Sequence, residues 1–192
     1  MRGLWVCALA VGVWAGAARA DGPLPSIITP RDQQRLAAFD QTRQAALAAA
    51  REGGSRPDVA VLETVLGGQE RPFGDGFDLS GDWRCRVLKL GREVPLVVYG
   101  WFRCRVTDDS SGWRLVKTSG SQRTSGRFYT LGDTRLVYLG AMHLGPETIR
   151  QYGADRQRDQ VAIAVRPDAD RVRLEFPSPE YDSMFDILDM RR

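Results

Sequence analysis

Lys89 and Lys117 are the only lysines among the 27 basic residues, and all the others are arginine. Each lies in an apolar stretch, Val87-Leu88-Lys89-Leu90 and Leu115-Val116-Lys117, that reads as strand. A lysine on the apolar side of a strand must reach the rim with its ammonium or meet a carboxylate, for which Glu93, Asp186 and Asp189 are the candidates. The functional alternative is a cationic mouth, two ammonium groups at one end of an apolar interior receiving the acidic head of an amphipathic small molecule. Ser121, Gln122 and Arg123 follow in a polar, glycine-hinged run, Thr118 to Gly126, and are the expected rim donors. That run reads equally as a nest of backbone N–H groups around an anion or as an ordinary hairpin connection. It lacks the helix and lysine placement of a phosphate-binding Walker loop.

Cys85 and Cys104 form an even pair once Cys7, inside the leading apolar run, is set aside. With His143 as the only histidine, they cannot complete a four-ligand zinc site, so a disulfide is expected and neither a metal nor a cofactor is implied. If the two cysteines oppose each other across a hairpin, Trp83 faces Val106, Val87 faces Phe102 and Lys89 faces Gly100 on the inward side. Extended across the turn Asp108 to Gly112, the same pairing sets Lys117 beside Phe102. The outward side then opposes Arg84 to Arg105 and Arg86 to Arg103, with Arg114 close by. Like charges directly opposed destabilise a sheet. Either Asp82, Asp108, Asp109 or Glu175 interleave with these arginines as a solvated ion-pair network, or the arginines form a face for an anion or an envelope partner.

Catalytic assignments fail on inventory. There is no asparagine in the chain, and His143 has no serine near it in sequence to activate, so a structural hydrogen bond is its expected role. Glu175, Glu180, Asp182 and Asp186 offer carboxylates for acid–base work, but their spacing is not diagnostic and no catalytic residue is assigned.

The elements that must position these groups follow from periodicity. Residues 1–20 read as a cleaved signal: Arg2, an apolar run from Leu4 to Ala17, then Ala18-Arg19-Ala20 before Asp21. The run is too short to span a bilayer, and no membrane span is expected in the mature chain. Residues 21–76 form an extended and helical segment. Its lead-in reaches Ile28, a helix starts at Thr29-Pro30-Arg31-Asp32 and ends at Gly53-Gly54, and a second helix runs from Pro57 to Leu66. From residue 77 the period becomes two, with strands expected near 82–90, 96–107, 112–118, 126–130, 134–142, 159–166, 171–177 and 183–190. Eight sequential strands joined by short loops make an antiparallel meander, and closure into a small barrel or half-barrel removes its two edges. The fold class is therefore mainly β (α+β), two helices packed on a barrel-like domain, with a calycin-like layout by strand count alone.

Three blocks in order carry a resemblance: Arg84 to Gly91, Trp101 to Val106, and Lys117 to Arg123 followed by Gly126-Arg127-Phe128-Tyr129. They resemble the proteobacterial family called domain of unknown function 4893. The resemblance implies an exported bacterial protein and supplies no mechanism.

The chain has 192 residues, 43% hydrophobic and 27% charged, with a net charge of +3, which excludes a polybasic nucleic-acid binder on net charge. Extended aromatic interleaving is also absent, and no nucleic-acid partner is expected. The preferred reading is a non-enzymatic periplasmic or secreted binding or envelope-associated protein, taking a small acidic ligand or an envelope component. The alternatives are a hydrolase or lyase working through carboxylates and arginine, and a docking protein using the arginine face.

Overall fold

The computed structural model describes residues 24–74 and 76–192, so the expected signal segment, 1–20, lies outside the described residues. Helices α1 (Leu24–Ile27), α2 (Pro30–Ala37), α3 (Phe39–Gly53) and α4 (Arg56–Leu66) come first. The strands are β1 (Gly81–Leu90), β2 (Leu96–Val98), β3 (Phe102–Asp108), β4 (Trp113–Lys117), β5 (Gln122–Thr130), β6 (Arg135–Leu144), β7 (Asp159–Asp168), β8 (Arg171–Pro177) and β9 (Phe185–Arg191).

Local chemistry sets the helix starts. Thr29 and Ser55 each accept from the backbone N–H three residues on, and each helix has a proline in its first turn. The lead-in expected to be extended contains α1, and the single helix expected up to Gly53 is broken at Ala38. The break follows from the surface beneath. α2 lies on β7 while α3 crosses β1, β2, β8 and β9, and one straight helix cannot follow a curved wall. Phe39 sits at the joint and packs against Phe185 with ring centroids 5.7 Å apart.

The sheet is antiparallel throughout and closes, because β1 pairs with β9 as well as with β3. Eight strands form the barrel, and β2 continues the line of β3 along β1. The single strand expected over 96–107 is thus two strands. β2 and β3 meet β1 in registers that differ by one residue, and the segment Tyr99 to Trp101 takes up the difference as a bulge.

The hairpin register also corrects the expected pairing. Cys85 faces Phe102 and Cys104 faces Trp83, so the Cys85–Cys104 disulfide joins diagonal neighbours, Cα atoms 5.9 Å apart. In this register Arg84 faces Arg103, Asp82 faces Arg105, Lys89 faces Val97, and Lys117 faces Cys104. The slip in the β1–β3 hairpin is an even number of residues, so every side chain keeps its expected side there.

Inside the barrel, Trp83, Trp113, Phe128, Tyr138 and Phe176 join the disulfide in one packed cluster. Eight strands leave an interior that side chains just fill, and here they fill most of it. Gly126 and Gly140 face each other on β5 and β6, and a Cβ on Gly126 would stand 2.2 Å from the Leu139 carbonyl oxygen. Outside, α3 and α4 cover Leu88, Leu90, Leu96, Phe185 and Ile187. A second outer cluster, under α2, gathers Ile28, Val137, Leu139, Val161 and Ile163. The carbonyls at the end of α4 are held from the barrel wall: Arg171 donates to Thr64 and Val65, and Arg173 to Val65 and Leu66.

Candidate functional site

The packed interior stops short at one end of the barrel. A cavity of about 70 Å³ remains there, floored by Val87, Phe176 and Leu188 and walled by Lys89, Lys117, Gln122, Thr124, Gln160 and Asp186. β1 supplies Lys89, β4 supplies Lys117, β5 supplies Gln122 and Thr124, and β9 supplies Asp186, each from the inward side of its strand. A vestibule of about 40 Å³ adjoins it, shares Lys89, Gln122, Gln160 and Asp186, and is bounded outside by Arg158, Pro179 and Tyr181.

The two lysines are held differently. Lys89 donates to Asp182 at 2.9 Å and to Gln122 Oε1 at 3.1 Å. Burial works against its charge, but the bond to Asp182 and the nearby Asp186 carboxylate outweigh burial and raise its pKa. Lys117, only 4% exposed, donates to the carbonyls of Ser119 at 2.9 Å and Gln122 at 2.7 Å, with Nζ 3.9 Å from the centre of the Phe102 ring. Among the described residues it has no carboxylate within ion-pair distance, and burial together with Arg123 pushes its pKa down to about 8. Gly120, at φ +86°, makes room for it, since a Cβ there would stand 2.8 Å from Lys117 Nζ. Asp186 faces Lys89 across β1 and β9, accepts from Ser183 at 2.6 Å, and is pushed up to about 6 by burial. A buried relay, Tyr138 to Thr124 to Gln160 with steps of 2.7 and 2.6 Å, lines the deep side, and burial drives the Tyr138 phenol pKa upward.

The structure brings Lys89, Lys117, Gln122 and Arg123 to one cavity, while Ser121 lies in the exposed turn before β5. Of the two readings of the run Thr118 to Gly126, the hairpin connection is the one found and the nest of N–H groups is not. The loop turns carbonyl oxygens toward the site, those of Ser119 and Gln122 onto Lys117 and that of Gly120 onto Arg123. β5 begins at Gln122, so the donor-dense run is strand over most of its length, with Gln122 and Thr124 facing inward. Thr124 and Gln160 were missed by sequence reasoning, and Asp182 was named only as a candidate carboxylate, not as the partner of Lys89. Alternation over 122 and 124 was the available signal, hidden because the inward residues are polar. His143, 3% exposed, places Nδ1 3.3 Å from the Leu144 carbonyl and leaves Nε2 without a partner. Among the described residues no group of three or more His, Cys, Asp or Glu side chains is arranged to hold a metal.

The five arginines expected on one outward face are divided. Arg84, Arg103 and Arg105 share an open groove of about 430 Å³ with Arg191 and Arg192. Arg86 donates to the buried Asp189 at 3.2 Å and stacks on Trp101. Arg114 lines a separate hollow with Arg127, which is paired to Asp109. Of the acids expected to interleave with the five arginines, Asp82 pairs with Arg105 at 2.9 Å, whereas Glu175 pairs with Arg43 and Arg173, outside the five, at 2.6 Å each. A further buried network, Tyr152 to Asp32 at 2.6 Å and Asp32 to Arg35 at 2.9 Å, fastens α2 to the barrel.

Fold and site together define a closed antiparallel barrel that is filled with side chains except for a small, charged mouth. The chain belongs to the family of the domain of unknown function DUF4893, whose model matches residues 25–190. No curated protein and no solved structure matches it. Among the described residues no helix is long and apolar enough to cross a membrane.

Proposed function

We propose that the protein is an exported, non-enzymatic binding protein whose barrel mouth takes the head group of a small amphipathic acid. One observation carries this reading: the Lys117 ammonium is buried at the wall of a cavity with carbonyls and a ring face around it but no carboxylate in ion-pair distance. Buried charges are normally compensated. An acid whose carboxylate lies against Lys117, with its apolar part over Val87, Phe176 and Leu188, supplies the missing charge. The cavity volume limits the buried part to a few atoms, and the remainder of the ligand extends into the vestibule. The disulfide supports an oxidising compartment, periplasmic or secreted. The likeness to calycin barrels, which rests on the eight-stranded closure, is an analogy of fold alone.

Titration calorimetry with hexanoate, and with hexanol as the uncharged control, tests the site. Hexanoate is expected to bind and hexanol not, and Lys117→Met is expected to abolish hexanoate binding while the protein remains folded. A parent protein that ignores hexanoate, or a Lys117→Met variant that binds it equally, rejects the reading.

A second reading, a hydrolase or lyase, draws on Asp186 and Lys117 facing one cavity with pKa values displaced toward neutrality from opposite sides. Chemical conversion of a bound acid that disappears in Asp186→Asn would favour it over simple binding.

A further inference from the structure

We propose that the groove on the outer wall of β3, β1 and β9 binds a linear phosphate chain of the polyphosphate class through Arg103, Arg84 and Arg191. The site is separate from the barrel mouth and does not depend on it. Sheet register sets these three residues in one line, because Arg84 pairs with Arg103 on one side and with Arg191 on the other. Adjacent strands lie about 4.8 Å apart, so the row presents a guanidinium at that period, running across the strands.

Directly opposed like charges cost stability, and the surroundings leave most of this repulsion in place. Among the described residues neither Arg84 nor Arg103 has a carboxylate within ion-pair distance, and Arg191 shares the buried Asp189, at 3.1 Å, with Arg86. The groove as a whole is lined by five guanidiniums, those of Arg105 and Arg192 flanking the row, against the single carboxylate of Asp82.

Three features select the ligand. A carboxylate saturates one arginine fork, whereas a phosphoryl group offers oxygens on several sides and can accept from two neighbouring forks at once. Repeating phosphates therefore match a row of arginines better than repeating carboxylates do. The surface is a groove, which admits a chain more readily than a flat bilayer. Trp101, the aromatic ring beside the row, is 38% exposed but already carries Arg84 and Arg86 at 4.8 and 4.7 Å from its centroid and Arg191 at 5.7 Å, so a nucleobase stacking on it has to displace a guanidinium. The same stacking holds Arg84 in position before any ligand arrives.

Fluorescence anisotropy of an end-labelled inorganic polyphosphate, with orthophosphate as competitor, tests the proposal on the whole protein. The parent is expected to bind with an affinity that falls as salt rises and to be displaced poorly by orthophosphate. Arg103→Glu is expected to weaken binding by at least about tenfold, the loss of one charge-assisted contact. It should also raise the melting temperature, because an attractive cross-strand pair replaces a repulsive one. Opposite movements of binding and stability separate loss of the site from loss of the fold. Should Arg103→Glu not fold, Arg84→Gln at the exposed centre of the row gives the same binding outcome. The proposal is overturned if the parent does not bind polyphosphate, or if the variant binds it equally. Tighter binding of single-stranded DNA or of phosphatidylglycerol vesicles overturns it too, in favour of those partners. Failure here leaves the hexanoate result untouched.

Discussion

An aspartate and a lysine that share a small cavity respond to pH in ways that can be worked out separately. Asp186 has its pKa at about 6 in the fold, against an ordinary value near 4 in the unfolded chain. Between those values the folded state holds more protons, so stability is greatest below about 4, falls as pH rises, and carries the full cost above about 6. That cost is on the order of 2–3 kcal/mol. Asp186→Asn is therefore expected to be more stable than the parent at pH 7 by that order and to lose the slope between pH 4 and 6, as measured by denaturant unfolding across pH. Lys117 behaves in the opposite sense. Its burial costs stability below about 8, and the cost is relieved as the pH rises toward the ordinary lysine value. Affinity for an acid should accordingly fall in two steps, one near 6 as Asp186 gains its negative charge and one near 8 as Lys117 loses its positive charge. A binding isotherm series across that range reads both steps.

The elements carry a second kind of tension, because α4 is fastened to the barrel wall through arginines. Arg173 donates to the last carbonyls of α4 and to Glu175, and both side chains are buried. Arg173→Met leaves the Leu66 carbonyl unmet, leaves Val65 to Arg171 alone and removes one of the two arginines on Glu175, and is expected to cost about 3 kcal/mol in denaturant unfolding. Residues 1–20 aside, much of this layer was legible in sequence. Period-two patterning and turn residues located the strands of the barrel, and Thr29 with Pro30, and Pro57, located two helix starts, although the Ser55 cap of the second was not read. The failures share a physical origin. The diagonal disulfide shifts the β1–β3 register by an even number of residues and leaves every side chain on its expected side, so alternation cannot reveal it, whereas the bulge at Tyr99 to Trp101 turns Leu96 to the outer side within a run read as one unbroken strand. The start of β5 was hidden because its inward residues, Gln122 and Thr124, line a polar cavity. Of the site, Lys89 and Lys117 were visible as isolated lysines on apolar faces. Asp182 was not identified as the partner of Lys89, since only the fold of the β8–β9 connection brings it there. The row formed by Arg191 with Arg84 and Arg103 was invisible for a related reason, as it requires closure of the barrel.

At the scale of the whole molecule, the disulfide ties β1 to β3 beside the arginine groove, across a sequence separation of 19. The paired substitution Cys85→Ala with Cys104→Ala is expected to lower stability by about 3 kcal/mol through the greater freedom of the unfolded chain, seen as a lower denaturant midpoint. The closing pair of the ring, β1 with β9, joins the first barrel strand to the last. Every other barrel pairing is between strands that are neighbours in sequence, apart from β1 with β3 across the short β2. The hairpins can thus zip locally and early, while the final ladder waits on the slowest loop closure in the molecule. A nascent chain halted before Phe185 would leave β1 and β8 as open edges, able to pair with other copies. Completing synthesis is then what commits the chain to a closed ring, and holding it unfolded until that moment protects it from edge-to-edge aggregation.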